Sequence, residues 1–343
     1  MIGCSPNLIN IGTGFFATWL TAYMLAAPWI LIIYPVIVSV RGNIGGVFAA
    51  RISTALYTGE VKPKFKGNTM KFKQIVSFVQ LLNIINIFFS ALMVIGISFL
   101  LRGEIFEFSL VLAVISTSML FTIVISVINT CIGAFASFRM GYDPDAVTYP
   151  FTSTTDDVII VLVYNFVAWV CVYFREIFIF LVNLIILPLV LLVTLILTFR
   201  YLSWEDLKKD AKCVPLLLIT STIATFSGHF LKEIEDKISE IPLLFALYSP
   251  LADISGDQTS TTASDLTTKL SIGTIEAKVS TILKDKSFTK YIFAEYLAGN
   301  IYLIIELLTF GLILVPTDVA DIVRVLFIVL VADIWIISSL IIP

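Results

Sequence analysis

Apolar runs long enough to cross a bilayer recur along this chain, and they constrain its fold more than any other feature. A helix needs roughly 20 apolar residues to cross a hydrocarbon core about 30 Å thick. Of the 343 residues, 58% are hydrophobic and only 14% are charged, whereas a soluble domain carries about 25% charged residues. The composition predicts an all-α, multi-pass protein of a cell membrane, and nothing in it indicates nucleic-acid binding.

We predict ten membrane spans from these runs. They cover residues 6–23, 24–40, 74–101, 106–138, 154–174, 177–199, 213–231, a run beginning at 241, 288–314 and 319–342. No charged loop separates the first two, so the boundary near Pro28 is inferred from a second copy of this sequence farther along the chain.

An internal repeat divides the sequence. The stretch 28–61 returns as the related stretch 242–275, aligned without a gap, and a repeat of this length indicates two structural halves. Each copy is an apolar run that reaches Gly-Asn or Gly-Asp, at Asn43 and Asp257, and continues with small and hydroxylated residues. We therefore expect each apolar helix to end there and open into polar backbone, which membranes tolerate only in buried or wet places.

Lysine-rich segments follow both copies, at 60–73 and 276–290. Basic loops favour the cytoplasm, and the six predicted spans between these two segments place both on the same side. The repeats are therefore predicted to be parallel, with 177–199 as a linker span that returns the chain to its starting side.

These spans define three predicted regions. They are 1–176, a first five-span module; 177–212, the linker span with a cytoplasmic connector; and 213–343, a second module that lacks a counterpart of the first module's last span.

Acidic and amide side chains in or beside the spans are the candidate cation ligands. An ionised Asp near a helix centre costs roughly 2.5–3.5 kcal/mol, so such residues suggest a function. In chain order the candidates are Asn43, Asp156, Asp157, Asp253, Asp257, Glu295, Glu306 and Asp333. Their oxygen atoms suit Mg²⁺ or Ca²⁺ better than zinc or copper.

Structural roles account for several of these residues equally well. A carboxylate at a helix N-terminus, such as Asp157 in its predicted span, is stabilised by the helix dipole. Asn43 and Asp257 can cap helix ends after Gly. Four acids can instead bond to polar side chains of other helices, namely Asp253, Glu295, Glu306 and Asp333. The residues alone leave both roles open.

Three stretches resemble a known family. Apolar residues with proline lead to Arg41-Gly42-Asn43, AARISTALYTGE follows at 49–60, and DPDAVTYPFTSTTDDVIIVLVY occupies 143–164. Through these the chain resembles the MgtE-type magnesium channels and their relatives in solute carrier family forty-one. The resemblance implies a five-span pore module used as a pair around a central cation pathway, with Mg²⁺ as the transported ion and one chain acting as a pseudo-dimer.

The same resemblance singles out a pore residue. It places the pore acid at Asp157, while the adjacent Asp156 projects about 100° away on the same helix. The second copy departs from the pattern, because it has Ser255-Gly256-Asp257 in place of Arg-Gly-Asn and no second version of 143–164.

The leading hypothesis is transport of a divalent cation, foremost Mg²⁺, along a pathway between the two halves. Mg²⁺ keeps several waters, so a few carboxylates and amides in a wet pore suffice, and both a channel and an exchanger are compatible with them. Two alternatives come from other classes: a membrane-embedded, metal-dependent lipid enzyme and a non-transporting scaffold subunit. The sequence contains no Ser-His-Asp set, phosphate loop or HExxH helix to support catalysis.

Overall fold

The computed structural model of the chain describes residues 10–24, 26–141, 144–254, 256, 286–314, 318, 320–328 and 331. Regular structure within these ranges is helical throughout, in agreement with the all-α prediction. A helix satisfies the hydrogen bonds of its own backbone, which is necessary in a bilayer because lipid tails offer no hydrogen-bonding partners. The predicted ligand Asp257 lies outside the described residues, as does Asp333.

The helices are numbered in chain order. They are α1 (Asn10–Thr18), α2 (Thr21–Met24), α3 (Trp29–Tyr57), α4 (Met70–Arg102), α5 (Phe108–Arg139), α6 (Pro144–Tyr173), α7 (Arg175–Leu181), α8 (Leu187–Tyr201), α9 (Trp204–Asp210), α10 (Val214–Glu233), α11 (Glu235–Glu240), α12 (Leu243–Ala246), α13 (248–254), α14 (Lys286–Thr309) and α15 (320–328). A π-helical turn, Val182–Ile186, joins α7 to α8, and another, Phe310–Leu314, follows α14.

Six helical segments are long and apolar enough to cross a membrane. They are Trp29–Tyr57, Met70–Arg102, Phe108–Arg139, Thr152–Tyr173, Arg175–Tyr201 and Trp204–Glu233. Each overlaps a predicted span, so the prediction of a multi-pass membrane protein is confirmed. The arrangement as two parallel repeats stays a prediction.

Local sequence sets the ends of these helices, as α4 illustrates. The Thr69 hydroxyl caps its first turn by accepting a hydrogen bond from the Phe72 amide. Gly103 ends the helix in the left-handed region, with φ of 67°, a conformation that glycine adopts without steric cost. Arg102 lies in the last turn, where a cation complements the helix dipole.

Helix α3 runs without a break through Gly42 and Asn43 to Tyr57. The prediction that the apolar helix ends at Gly42-Asn43 is therefore wrong for the first copy. A glycine inside a helix costs about 1 kcal/mol, and the packing of α3 against α4, α5, α6 and α10 offsets that cost. Continuous helical hydrogen bonding also avoids unsatisfied amides in an apolar interior.

The chain forms two compact units. The large unit is Trp19–Asp236, and the small unit combines Met1–Thr18 with Lys237–Pro343. In the large unit α10 packs against α3 and α4, whereas in the small unit α1 packs against α12. The first helix of the predicted first module, α1, lies in the small unit, and the first helix of the predicted second module, α10, lies in the large unit. We call α1 and α10 the exchanged helices. The modules themselves rest on repetition in the sequence and stay a prediction.

The contact between α10 and α3 depends on a glycine. A Cβ atom at Gly228 would lie 2.1 Å from the carbonyl oxygen of Ile32, which is far inside van der Waals contact. Small residues permit such backbone approach between membrane helices. Gly228 thus sets the distance at which α10 docks.

We predict that Gly228→Ala destabilises the large unit, because its methyl group meets backbone rather than a movable side chain. Overpacking of this kind costs about 1–3 kcal/mol or more. Thermal unfolding of the purified protein in detergent measures the effect. Gly96→Ala in α4 is the control, since a Cβ there meets nothing within 4 Å and the change should be neutral or slightly stabilising. Equal melting temperatures for the two variants would contradict the proposed close approach.

Candidate functional site

Buried charges meet where α3, α5 and α6 pack together. Arg41 of α3 is 3% exposed, and Asp156 and Asp157 of α6 are 1% and 0% exposed. We call these three residues the charge cluster. Two of them, Asp156 and Asp157, are among the ligands predicted from the sequence, and the structure brings them together around one guanidinium.

Arg41 contacts both carboxylates. Its Nη2 donates to Oδ1 of Asp157, and its Nη1 lies 3.6 Å from Oδ2 of Asp156. Nη1 also donates to the carbonyl oxygen of Ser153 at 3.5 Å. The guanidinium therefore occupies the position beside these oxygens that a free cation would take.

The two carboxylates differ in their other partners. Asp156 accepts a hydrogen bond from the Ser126 hydroxyl through Oδ2 and another from Nδ2 of Asn129, at 2.8 Å, through Oδ1. Asp157 has no such neutral donors, and its Oδ2 is buried without a hydrogen-bond partner among the described residues. Asp156 is thus held in place by α5, whereas the described residues leave one oxygen of Asp157 unsatisfied.

The charges of the cluster do not balance. With both carboxylates ionised, one negative charge remains beyond what Arg41 neutralises. Buried charge is costly unless it is paired, by several kcal/mol per ion. The cluster is therefore a place where an additional cation is electrostatically favoured.

Helix contacts and polar side chains surround the charge cluster. A Cβ at Gly45 would lie 3.7 Å from the Ser126 hydroxyl oxygen, an ordinary van der Waals distance, so α3 and α5 are in contact one turn beyond Arg41. Thr152 and Thr154 of α6 are also buried. The segment that precedes the acids is therefore a polar strip in an otherwise apolar helix.

Asn43, a predicted ligand, lies on another side of α3. Two residues along a helix correspond to about 200° of rotation, so Asn43 points away from the face that carries Arg41. Its Nδ2 donates to the Thr220 hydroxyl of α10 at 2.8 Å. The structure thus places Asn43 at the contact with an exchanged helix and not beside the two carboxylates.

The remaining predicted ligands belong to the small unit. Asp253 of α13 accepts a hydrogen bond from Nδ2 of Asn10 at 2.8 Å. Glu295 lies in the backbone of α14, and its side chain is not among those described. The described residues contain no group of three or more His, Cys, Asp or Glu side chains arranged to hold a metal.

Sequence reasoning missed the residues that surround the acids. Arg41 was noted only as part of the Arg-Gly-Asn segment, although a basic residue inside a long apolar run is a signal of a buried ion pair. Ser126 and Asn129 carry no such signal, because hydroxyl and amide residues occur throughout α5. The lone histidine is structural: Nε2 of His229 lies 2.9 Å from the Ser98 hydroxyl and Nδ1 lies 2.9 Å from the Thr225 carbonyl oxygen.

Comparison with known proteins identifies the region that holds this cluster. Residues 34–167 match the family model MgtE, described as a divalent cation transporter. All three residues of the charge cluster lie inside the match. No curated protein and no solved structure matches the chain.

We predict that Arg41→Met destabilises the protein in buffer free of divalent cations, because it leaves two buried carboxylates without their counter-charge. Breaking a buried pair in this way costs about 3–5 kcal/mol. The double variant Arg41→Met/Asp157→Asn should lose less free energy of unfolding than Arg41→Met alone. Thermal or denaturant unfolding in detergent measures both.

Arg102→Met is the control for these two variants. Arg102 forms an ion pair with Glu233 whose carboxylate side chain is 64% exposed, and exposed pairs contribute only about 0–1 kcal/mol. If Arg41→Met were no more destabilising than Arg102→Met, the ion pair would not hold α3 and α6 together.

Proposed function

We propose that this chain, whose residues 34–167 form an MgtE-type divalent cation transporter domain, carries Mg²⁺ across the membrane past the charge cluster. The chain is a multi-pass membrane protein with six helices able to span a bilayer, and its matched family consists of transporters rather than enzymes. The observation that carries the proposal is the oxygen of Asp157 that is buried among membrane helices without a described partner.

The donor atoms favour a hard cation. Carboxylate, hydroxyl and carbonyl oxygens surround the cluster, and these are ligands of Mg²⁺ and Ca²⁺ rather than of soft metals. Mg²⁺ usually retains several waters and binds proteins through one or two carboxylates. Asp157 as the direct ligand, with Asp156 as a second negative charge beside it, agrees with this coordination of Mg²⁺.

Arg41 acts in this proposal as a tethered cation. Since its guanidinium contacts Asp157, a divalent ion that approaches the same carboxylate has to displace it or share the site with it. A transport site must bind its ion strongly enough to admit it and weakly enough to release it. The competing guanidinium keeps the affinity of the two acids for a divalent ion low enough for release.

The pathway between two halves is part of the same proposal. The internal repeat of 28–61 at 242–275 supports it, as does the family's use of paired modules. Asn43, Asp253, Asp257 and Glu295 are then further oxygen donors along the pathway, and a single chain provides both halves.

We predict that Asp157→Asn lowers Mg²⁺ flux by at least about tenfold, since the amide keeps the shape of the side chain and removes its charge; a loss of about 1.4 kcal/mol of ion binding is already tenfold. Asp156→Asn should have a smaller effect, because Ser126 and Asn129 still hold that side chain. Reconstituted vesicles loaded with a magnesium-sensitive dye report the flux. Asp236→Asn, at an exposed position of α11, controls for the loss of an acid.

Two results would contradict this assignment. One is wild-type flux in Asp157→Asn, and the other is loss of flux in Asp156→Asn alone. If wild-type vesicles showed no flux above empty vesicles under Na⁺ gradients of either direction, Mg²⁺ transport itself would be refuted.

We also predict that Arg41→Met lowers the Mg²⁺ concentration at half-maximal flux, because the tethered competitor is gone. Arg51→Met is the control from the same helix, since Arg51 stacks over the Phe78 ring at 4.3 Å and does not belong to the charge cluster. An unchanged or higher half-maximal concentration in Arg41→Met would show that the guanidinium does not compete with the ion.

A further inference from the structure

The small unit contains a buried acid that the matched family region does not include. Glu306 of α14 is 0% exposed, and neither of its carboxylate oxygens has a hydrogen-bond partner among the described residues. A buried carboxylate without partners is unfavourable unless something else compensates its charge. Glu306 therefore indicates a missing ligand or proton.

A second acid of the same unit acts on Glu306 electrostatically. Asp253 of α13 is near enough for its charge to act on Glu306. The residues that follow them, Ile254 and Leu307, belong to one apolar cluster against which Ile11 of α1 packs. Three helices, α1, α13 and α14, thus converge around two carboxylates in apolar surroundings.

Helix α1 contributes neutral oxygen atoms to this place. Asn10 is 1% exposed; its Nδ2 donates to Asp253 at 2.8 Å, and its Oδ1 has no partner among the described residues. Thr13, one turn along the same buried face, also has a buried hydroxyl without a described partner. Gly14 lets α1 pack closely in the small unit, because a Cβ there would lie 2.2 Å from the Ala246 carbonyl oxygen of α12 and 2.5 Å from the Phe310 ring that follows α14.

Basic side chains in the described part of the small unit are engaged elsewhere or exposed. Lys237 pairs with Glu240, and Arg324 pairs with Asp321, in both cases within one helical turn near the surface. Lys290 is exposed. None of these ammonium or guanidinium groups forms an ion pair with Glu306 of the kind that Arg41 forms with Asp157.

We propose that Glu306, Asp253 and Asn10 form a second cation-binding site, which takes one divalent ion of the hard, oxygen-preferring class. A doubly charged ion compensates the Glu306 carboxylate, whose oxygens have no partner among the described residues, and the charge of Asp253 adds to the attraction. The amide oxygen of Asn10 completes a set of oxygen donors from three helices, which suits Mg²⁺ or Ca²⁺. The site lies outside residues 34–167 and does not depend on transport past the charge cluster.

Binding stoichiometry tests the proposal on the full chain. MgCl₂ is titrated calorimetrically into the Asp157→Asn variant, in which the charge cluster has lost its direct ligand. We expect one remaining equivalent of bound Mg²⁺, which Glu306→Gln in the same background abolishes and which Glu240→Gln, an exposed acid of the same unit, leaves intact. Binding retained in Glu306→Gln, or no binding before it is introduced, would overturn the proposal.

A second variant covers the case in which Glu306→Gln does not fold. Asn10→Asp adds a third carboxylate to the same place and should tighten Mg²⁺ binding several-fold in the Asp157→Asn background. It should also make the melting temperature more dependent on Mg²⁺. If the two acids only share a proton, Asn10→Asp will lower the melting temperature without recovery in Mg²⁺, and the site is not a cation site.

Discussion

The ion pair between Arg41 and Asp157 is the interaction on which the interior of the large unit depends. Each partner alone would place an uncompensated charge in an apolar environment, at a cost of several kcal/mol. The pair forms only when α3 and α6 lie side by side, and Asp156 reaches its own donors only when α5 joins them. The requirement for paired charge therefore selects one packing of three helices that apolar contacts alone would leave less defined.

The two acids of α6 share a backbone but have different surroundings, and the difference assigns them different tasks. Asp156 is satisfied by α5 and by Arg41, so it mainly fixes the position of α6 and adds negative charge. Asp157 depends on Arg41 and keeps an oxygen without a described partner. In the proposed transport site, Asp156 is therefore the acid that is rigidly held, and Asp157 is the acid that exchanges Arg41 for the ion.

Six of the ten predicted spans coincide with long apolar helices, and these spans and the acidic pair could be predicted from the sequence because both leave local signals. Long apolar runs determine the spans, and acids inside such runs are costly enough to attract attention. The break expected at Gly42-Asn43 was wrong, since the packing around α3 outweighs a local preference of about 1 kcal/mol. The partners Arg41 with Asp157 and Asn10 with Asp253 are 116 and 243 residues apart, and no local pattern pairs residues at such distances.

Contacts between residues far apart in the sequence impose an order on how this protein can fold. Asn10 of α1 leaves the ribosome 243 residues before its partner Asp253, and Asn43 of α3 leaves it 177 residues before Thr220 of α10. At roughly 5–20 residues per second, the ribosome needs on the order of 10–50 s to supply the partner of α1. During that interval the side-chain amide of Asn10 cannot make the hydrogen bond to Asp253 that it makes in the folded small unit, so α1 reaches its final packing only after α13 has been synthesised.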